Sequence, residues 1–164
     1  MIFVLHPHAA LASAAAAAPV DARLLAVGER LLAAATEARA HGLAAAHIGE
    51  VAPVIVINMA PDQIEPAYQL LYNPRVVDAA EETAAGGEAS VSLPGVEVEI
   101  ERPVWAEIAY EDAAGVARTE RLEGFVVRCA LHEIEQMNGR FFLANLSRLK
   151  RDMALKKYAK RRQG

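Results

Sequence analysis

The chain contains one cysteine, Cys129, few aromatic residues and no apolar run of the ~20 residues that a membrane span takes. A lone cysteine excludes a disulfide framework and a multi-thiolate zinc knuckle within one chain. An aromatic content of 5% leaves too few rings for a base-stacking nucleic-acid platform. Lysine is absent before residue 150. Residues 1–147 carry 9 basic and 20 acidic side chains, whereas residues 148–164 carry 8 basic and 1 acidic. An acidic body excludes a general DNA binder, while the basic end leaves room for a local anionic contact. No basic residue other than histidine precedes the alanine run at Ala14 to Ala18, and Pro7 interrupts the apolar start. A secretory signal needs a basic n-region, so the expected location is cytoplasmic, with no membrane contact.

What is present suits one compact domain: a chain of this length buries roughly 68–70% of its unfolded surface and needs no staples. The hydrophobic fraction of 54% overstates the core, because 35 residues are alanine. Asp21 behind Pro19 looks like an N-cap, and Leu24, Leu25, Gly28, Leu31, Leu32 and Ala35 recur at helical spacing, predicting a helix that ends near His41-Gly42. Val54 to Ile57 is β-branched and reads as a buried strand. Gln69 to Tyr72 reads as a short strand stopped by Asn73-Pro74, and Gly86-Gly87 as a loop. Val96, Val98 and Ile100 alternate with glutamates, as a half-buried strand should. Val104 to Glu111 and Val116 to Leu122 flank a hairpin turn at Asp112 to Gly115. Helical periodicity returns from Gly124 to Asn138, and a last amphipathic helix spans Ser147 to Lys160. The expectation is an α+β fold of antiparallel sheets around a central helix, with helices at both ends. Residues 1–147 form its body and residues 148–164 a basic helix or tail of the same domain.

The chemistry-bearing residues are few. Leu131-His132-Glu133-Ile134-Glu135-Gln136 matches the first half of the zinc-hydrolase pattern His-Glu-x-x-His, in which two imidazoles on one helix face bind a metal and the glutamate moves protons. Here the second ligand position is Gln136. A neutral amide oxygen is a poor ligand for such an ion, and the fragment alone reads rather as an amphipathic helix with a solvated His-Glu pair. Three further segments accompany it in order: Gly42-Leu43-Ala44-Ala45-Ala46-His47-Ile48-Gly49, Glu88-Ala89-Ser90-Val91-Ser92-Leu93-Pro94-Gly95, and Leu146-Ser147-Arg148-Leu149-Lys150-Arg151. With these motifs the whole chain resembles the peptide deformylases.

The resemblance implies an enzyme of N-terminal methionine processing in translation, which removes the formyl group from nascent peptides with a divalent metal such as iron, zinc or nickel. One cysteine and two histidines hold that metal. Carried over, the ligand positions are Ser90 in place of the cysteine, His132, and Gln136 in place of the second histidine. Glu133 is the proton-moving glutamate. His47 stands where the family has the glutamine that helps hold the oxyanion, and the Val91 backbone N–H assists it. The substrate path is lined by Gly42, Leu43, Phe125 and Arg128, the last making the side-chain pocket more polar. Glu97 stands where many relatives have arginine near that path. Arg102 matches a family arginine expected to be an ion-pair partner, and Cys129 matches a non-ligand position, expected to be a small core residue. His6 and His8 are expected to be exposed.

With two of three ligands replaced, two readings stay open. The chain is a pseudoenzyme candidate whose standard deformylation is lost or altered, holding N-terminal peptides or the ribosome without chemistry and carrying no metal. Alternatively it is a rewired metallohydrolase, with His47, His132 and a carboxylate such as Glu133 or Glu88 as the new ligands. The resemblance extends to the basic tail, which in the family contacts the ribosome surface. Its other reading is a solvated helix that aids solubility.

Overall fold

The computed structural model describes residues 3–163. Helix α1 (Ala22–Ala38) begins at Asp21, whose side chain accepts the Leu24 N–H, and ends at Arg39 in the left-handed conformation, earlier than the expected His41. It is followed by β1 (Gly42–Ala44), a 3-10 turn at Ala45–Ile48, β2 (Val54–Asn58) and β3 (Tyr68–Ala79). Next come β4 (Thr83–Ala89), β5 (Glu97–Pro103), β6 (Trp105–Glu111) and β7 (Ala117–Glu123). The chain closes with α2 (Gly124–Met137) and α3 (Arg148–Gln163). One five-stranded antiparallel sheet has the order β1-β2-β3-β6-β7, and β4 pairs with β5 in a second, two-stranded sheet.

The continuous apolar run of β2 has a direct cause. Val54 and Val56 pack on Leu24 and Leu31 of α1, in one cluster with Tyr72 of β3, whereas Ile55 and Ile57 pack on α2 through Val127, Ala130, Leu131 and Ile134. A strand buried on both faces has no polar positions to alternate with. Gly28 lets α1 approach, since a Cβ there would collide with the Tyr72 hydroxyl. Strand β7 turns straight into α2 at Gly124, whose φ of +61° is the left-handed region that glycine tolerates. A third core of Leu93, Val96, Ile100, Phe142 and Leu143 receives Ala154 and Tyr158 from α3. These two lie four residues apart on one helix face, which docks the basic helix and leaves its other faces in solvent.

Two expectations need correction. Strand β3 does not stop at Asn73-Pro74 but continues to Ala79 across a register shift. Asn73 has a φ of 49°, and its side chain bonds both Ala18 N–H and Ala18 C=O and also Glu111. Those tertiary bonds hold a conformation that local preference reads as a stop. Gly86-Gly87 is strand rather than loop. Both glycines lie inside β4, where side chains from elsewhere occupy their space: a Cβ on Gly86 would meet the Arg128 guanidinium at 2.8 Å, and one on Gly87 would collide with Glu97. Among the described residues β1 pairs only with β2 and β4 only with β5, so each leaves one strand edge unpaired.

Candidate functional site

A cavity of about 540 Å³ lies between those two edges. Gly42 and Leu43 of β1 line one side, with His47 from the turn that follows. Glu88, Ser90 and Val91 line the other, and α2 supplies Phe125, Arg128, His132 and Glu133. Gln136, one turn beyond His132 on the same helix face, is buried and does not itself line the cavity. Cys129 is partly exposed on the cavity rather than enclosed in the core, although its stem packs against α2's core cluster. Its thiol is pushed up to about 12, first by burial and then by Glu133 and Glu88, so it stays neutral. Elsewhere, His8 is exposed, but His6 is half-buried and stacks on Phe141 at 4.8 Å.

One wall is a closed set of charges. Glu88 accepts two hydrogen bonds from Arg102 at 2.8 Å, one from Arg128 at 2.9 Å and one from His132 Nδ1 at 2.8 Å. Burial opposes its ionisation, but the bonds from Arg102 and His132 and their charges prevail and hold it down at about 2. Side chains therefore use both Glu88 oxygens, and it bonds no backbone group. Arg102 reaches on to Glu135 at 2.6 Å, the structural ion-pair role expected of it. Arg128 also donates to the Ile100 carbonyl at 2.7 Å and the Ala84 carbonyl at 2.8 Å. It borders the cavity, but its charge is turned into the β4–β5 wall, so the expected polar pocket is not what this arginine makes. His132, donating from Nδ1, keeps Nε2 toward the cavity. Burial lowers its pKa, but the charge of Glu133 and the bond to Glu88 prevail and raise it.

The other wall is loosely paired. The Ala44 N–H points at His47 Nδ1 at 3.0 Å. A nitrogen that accepts carries the lone pair, so the ring proton is assigned to Nε2, which faces Ser90 Oγ at 3.5 Å. Burial, reinforced by the charge of His132, pushes His47 down to about 3 and keeps it neutral. Ser90 Oγ accepts the Ser92 N–H at 3.1 Å. Glu133 Oε1 is buried without a hydrogen-bond partner, 3.6 Å from His47 Nδ1. Burial raises Glu133 to about 7, against the opposing charge of His132 and with the help of Glu88. The Gln136 amide N–H donates to the Leu11 carbonyl at 2.8 Å, and its Oε1 has no partner.

These donors do not fit a divalent metal. The His47 lone pair is taken by Ala44, so Nε2 presents a proton where a ligand needs an electron pair. Ser90 offers a neutral hydroxyl, Gln136 is a tether to the N-terminal segment, and Glu88 is fully paired. His132 Nε2 and the unpaired Glu133 Oε1 have ligand character, which is one group short of the three protein ligands of a catalytic site. Among the described residues no group of three or more His, Cys, Asp or Glu side chains is arranged to hold a metal ion. Ser90, His47 and Glu133 follow one another as nucleophile, base and acid do in a hydrolase triad, but with reversed polarity. A triad histidine donates from Nδ1 and accepts at Nε2, and a base held near 3 takes no proton at neutral pH.

The sequence pattern of the family described as polypeptide deformylase matches residues 2–152. The chain belongs to the peptide deformylase family. It is 39% identical over 159 residues to a peptide deformylase-like protein of Agrobacterium fabrum, covering 96% of this chain and 94% of that one. It is 33% identical over 141 residues to a peptide deformylase of the same organism, covering 86% and 83%. The crystal structure of peptide deformylase from Ehrlichia chaffeensis superposes with a TM-score of 0.90 at 27% identity, covering 99% of this chain and 97% of that one. Within this deformylase fold, sequence reading missed the partners of Glu88 and Arg128. The signal available was that Glu88 is the one charged residue in the small-residue strand Thr83–Ala89. Among the described residues, no helix is long and apolar enough to cross a membrane.

Proposed function

We propose that this deformylase-family chain holds an extended peptide N-terminus between β1 and β4 and does not carry out metal-dependent deformylation. The observation that carries the reading is the Ala44 N–H on His47 Nδ1. It turns the residue best placed to replace a lost ligand into a hydrogen-bond donor. The two unpaired strand edges offer backbone groups on either side of the cavity, which is how an added strand is bound. Leu43, Phe125 and Cys129 give that cavity an apolar surface for one side chain. His47 Nε2–H and the Val91 backbone N–H suit a carbonyl oxygen of the bound chain, and His132 is fixed in orientation by Glu88. The Agrobacterium fabrum pair supports the same reading, because the relative named deformylase-like is the more similar of the two.

The test combines metal analysis with a formyl-peptide assay. Protein purified anaerobically and incubated with excess iron or zinc should retain no stoichiometric metal and release no formate. S90C/Q136H, which restores a thiolate and an imidazole, should gain metal. Stoichiometric metal in the unaltered protein, lost on H47A, would establish the rewired centre instead, and formate release would overturn the reading outright. For the tail, exposed lysines and arginines on α3 support contact with an anionic surface such as ribosomal RNA. Co-sedimentation with ribosomes should then fall steeply with salt and vanish without residues 148–164.

A further inference from the structure

Building on that peptide-groove reading, we infer that Glu97 selects a basic side chain on the bound peptide, at the position next to the one that enters the cavity. The placement follows from strand geometry. Glu88 turns its side chain into the protein, so its neighbours Gly87 and Ala89 face the opposite side of β4. Glu97 stands across from Ala89 in the β4–β5 ladder, and directly opposed residues share a face. Its carboxylate lies over Gly87, where any Cβ would collide with Oε1, and it borders the cavity while remaining exposed. A peptide strand added to the free edge of β4 alternates in the same way. When one side chain enters the cavity beside Phe125, its neighbours lie on the Gly87 and Ala89 face, beside Glu97.

The charges within the cavity do not compete for that role. Glu88 is committed to Arg102, Arg128 and His132, and Arg128 to Glu88 and backbone carbonyls. The Glu97 side chain makes no ion pair or hydrogen bond among the described residues. Lys150 and Lys157 share a separate groove with it behind β5 without pairing to it. An unpaired carboxylate at the rim of a mostly apolar groove is complemented by an ammonium or guanidinium, and an exposed pair of this kind shifts affinity by up to about fivefold.

The experiment measures binding of C-terminally labelled peptides, N-formyl-Met-Xaa-Ala-Ser with Lys, Ala or Glu as Xaa, by fluorescence anisotropy. Affinity should fall from Lys to Ala to Glu by about threefold per step at low salt, and the spread should narrow as salt screens the rim. E97K should reverse the order of the Lys and Glu peptides and E97Q should remove it. E101Q, four residues along the same strand, should keep it. Equal binding of all three peptides, or loss of the order in E101Q as in E97Q, would overturn the assignment while leaving the groove reading standing. Binding of none of the peptides would overturn the groove reading and the assignment with it.

Discussion

The two walls of the cavity are built from the same kinds of residue and obey opposite rules. On the α2–β4–β5 side, Glu88, Arg102, Arg128 and Glu135 are joined by bonds of 2.6 to 2.9 Å. Around His47, by contrast, Ser90 and Glu133 stand at 3.5 and 3.6 Å, and Glu133 Oε1 is buried without a partner. An unsatisfied buried polar group costs about 1–3 kcal/mol, so the second wall weakens the fold that the first one holds. The paired wall keeps His132 and the β4 edge in place. The unpaired wall holds donors and acceptors that a ligand can use.

The largest effect should come from breaking the paired wall. Arg102→Met leaves Glu88 buried with less of its compensation and frees Glu135, and removal of one partner from a buried ion pair costs about 3–5 kcal/mol. Urea unfolding at pH 7 measures it; a loss below about 1 kcal/mol would mean that Arg128 and His132 suffice for Glu88. Next is acid sensitivity, where each wall contributes its own window. His47 is held near 3 in the fold against 6.5 in the unfolded chain. As pH falls below about 6.5 the unfolded state therefore takes the proton first, and stability drops until about pH 3. Glu88, held near 2 against 4.5, loses its contribution only between those values. H47Q should flatten the upper window and leave the lower one. Unfolding profiles of the two proteins that coincide above pH 4.5 would contradict the burial of His47.

Glu133 has the reverse sign. Its folded value near 7 exceeds the unfolded 4.5, so the unfolded chain ionises first as pH rises and stability falls from about 4.5 to about 7. E133Q should remove that fall and be more stable than the parent above pH 7, by on the order of 3 kcal/mol. A destabilised E133Q at pH 8 would show that the attraction of His132 and the Ala44 N–H outweighs the cost of burying the carboxylate.

Much of the fold was legible because local pattern and tertiary need agreed. Val54 to Ile57 is apolar without interruption because both faces are covered, and Asp21 caps α1 where its spacing predicts. Legibility failed where residues serve distant neighbours. Gly86 and Gly87 read as a loop because the sequence does not show that Arg128 and Glu97 fill the space above a strand. Asn73-Pro74 reads as a stop because its holding partners, Ala18 and Glu111, lie 55 and 38 residues away. At the site, His132 and Glu133 stood out from the helix motif alone. The direction of Arg128 did not, since acceptors 28 to 44 residues away set it.

The smallest effect distinguishes a tether from a ligand at Gln136. If the amide exists to hold the N-terminal segment, Gln136→Leu loses one hydrogen bond and leaves the Leu11 carbonyl without its donor. It also removes the unpaired Oε1 and adds apolar contact on α2. The two changes oppose, so the net loss should be about 1 kcal/mol, smaller than the cost of most buried polar substitutions. Hydrogen exchange gives the sharper readout. Leu11 N–H donates to His8 and Ser13 N–H to Ala10, and protection at both should fall in Gln136→Leu while α2 is unaffected. Faster exchange across α2 with an unchanged N-terminal segment would place the role of Gln136 within the cavity wall instead, and the comparison of the two walls would have to be redrawn with it inside.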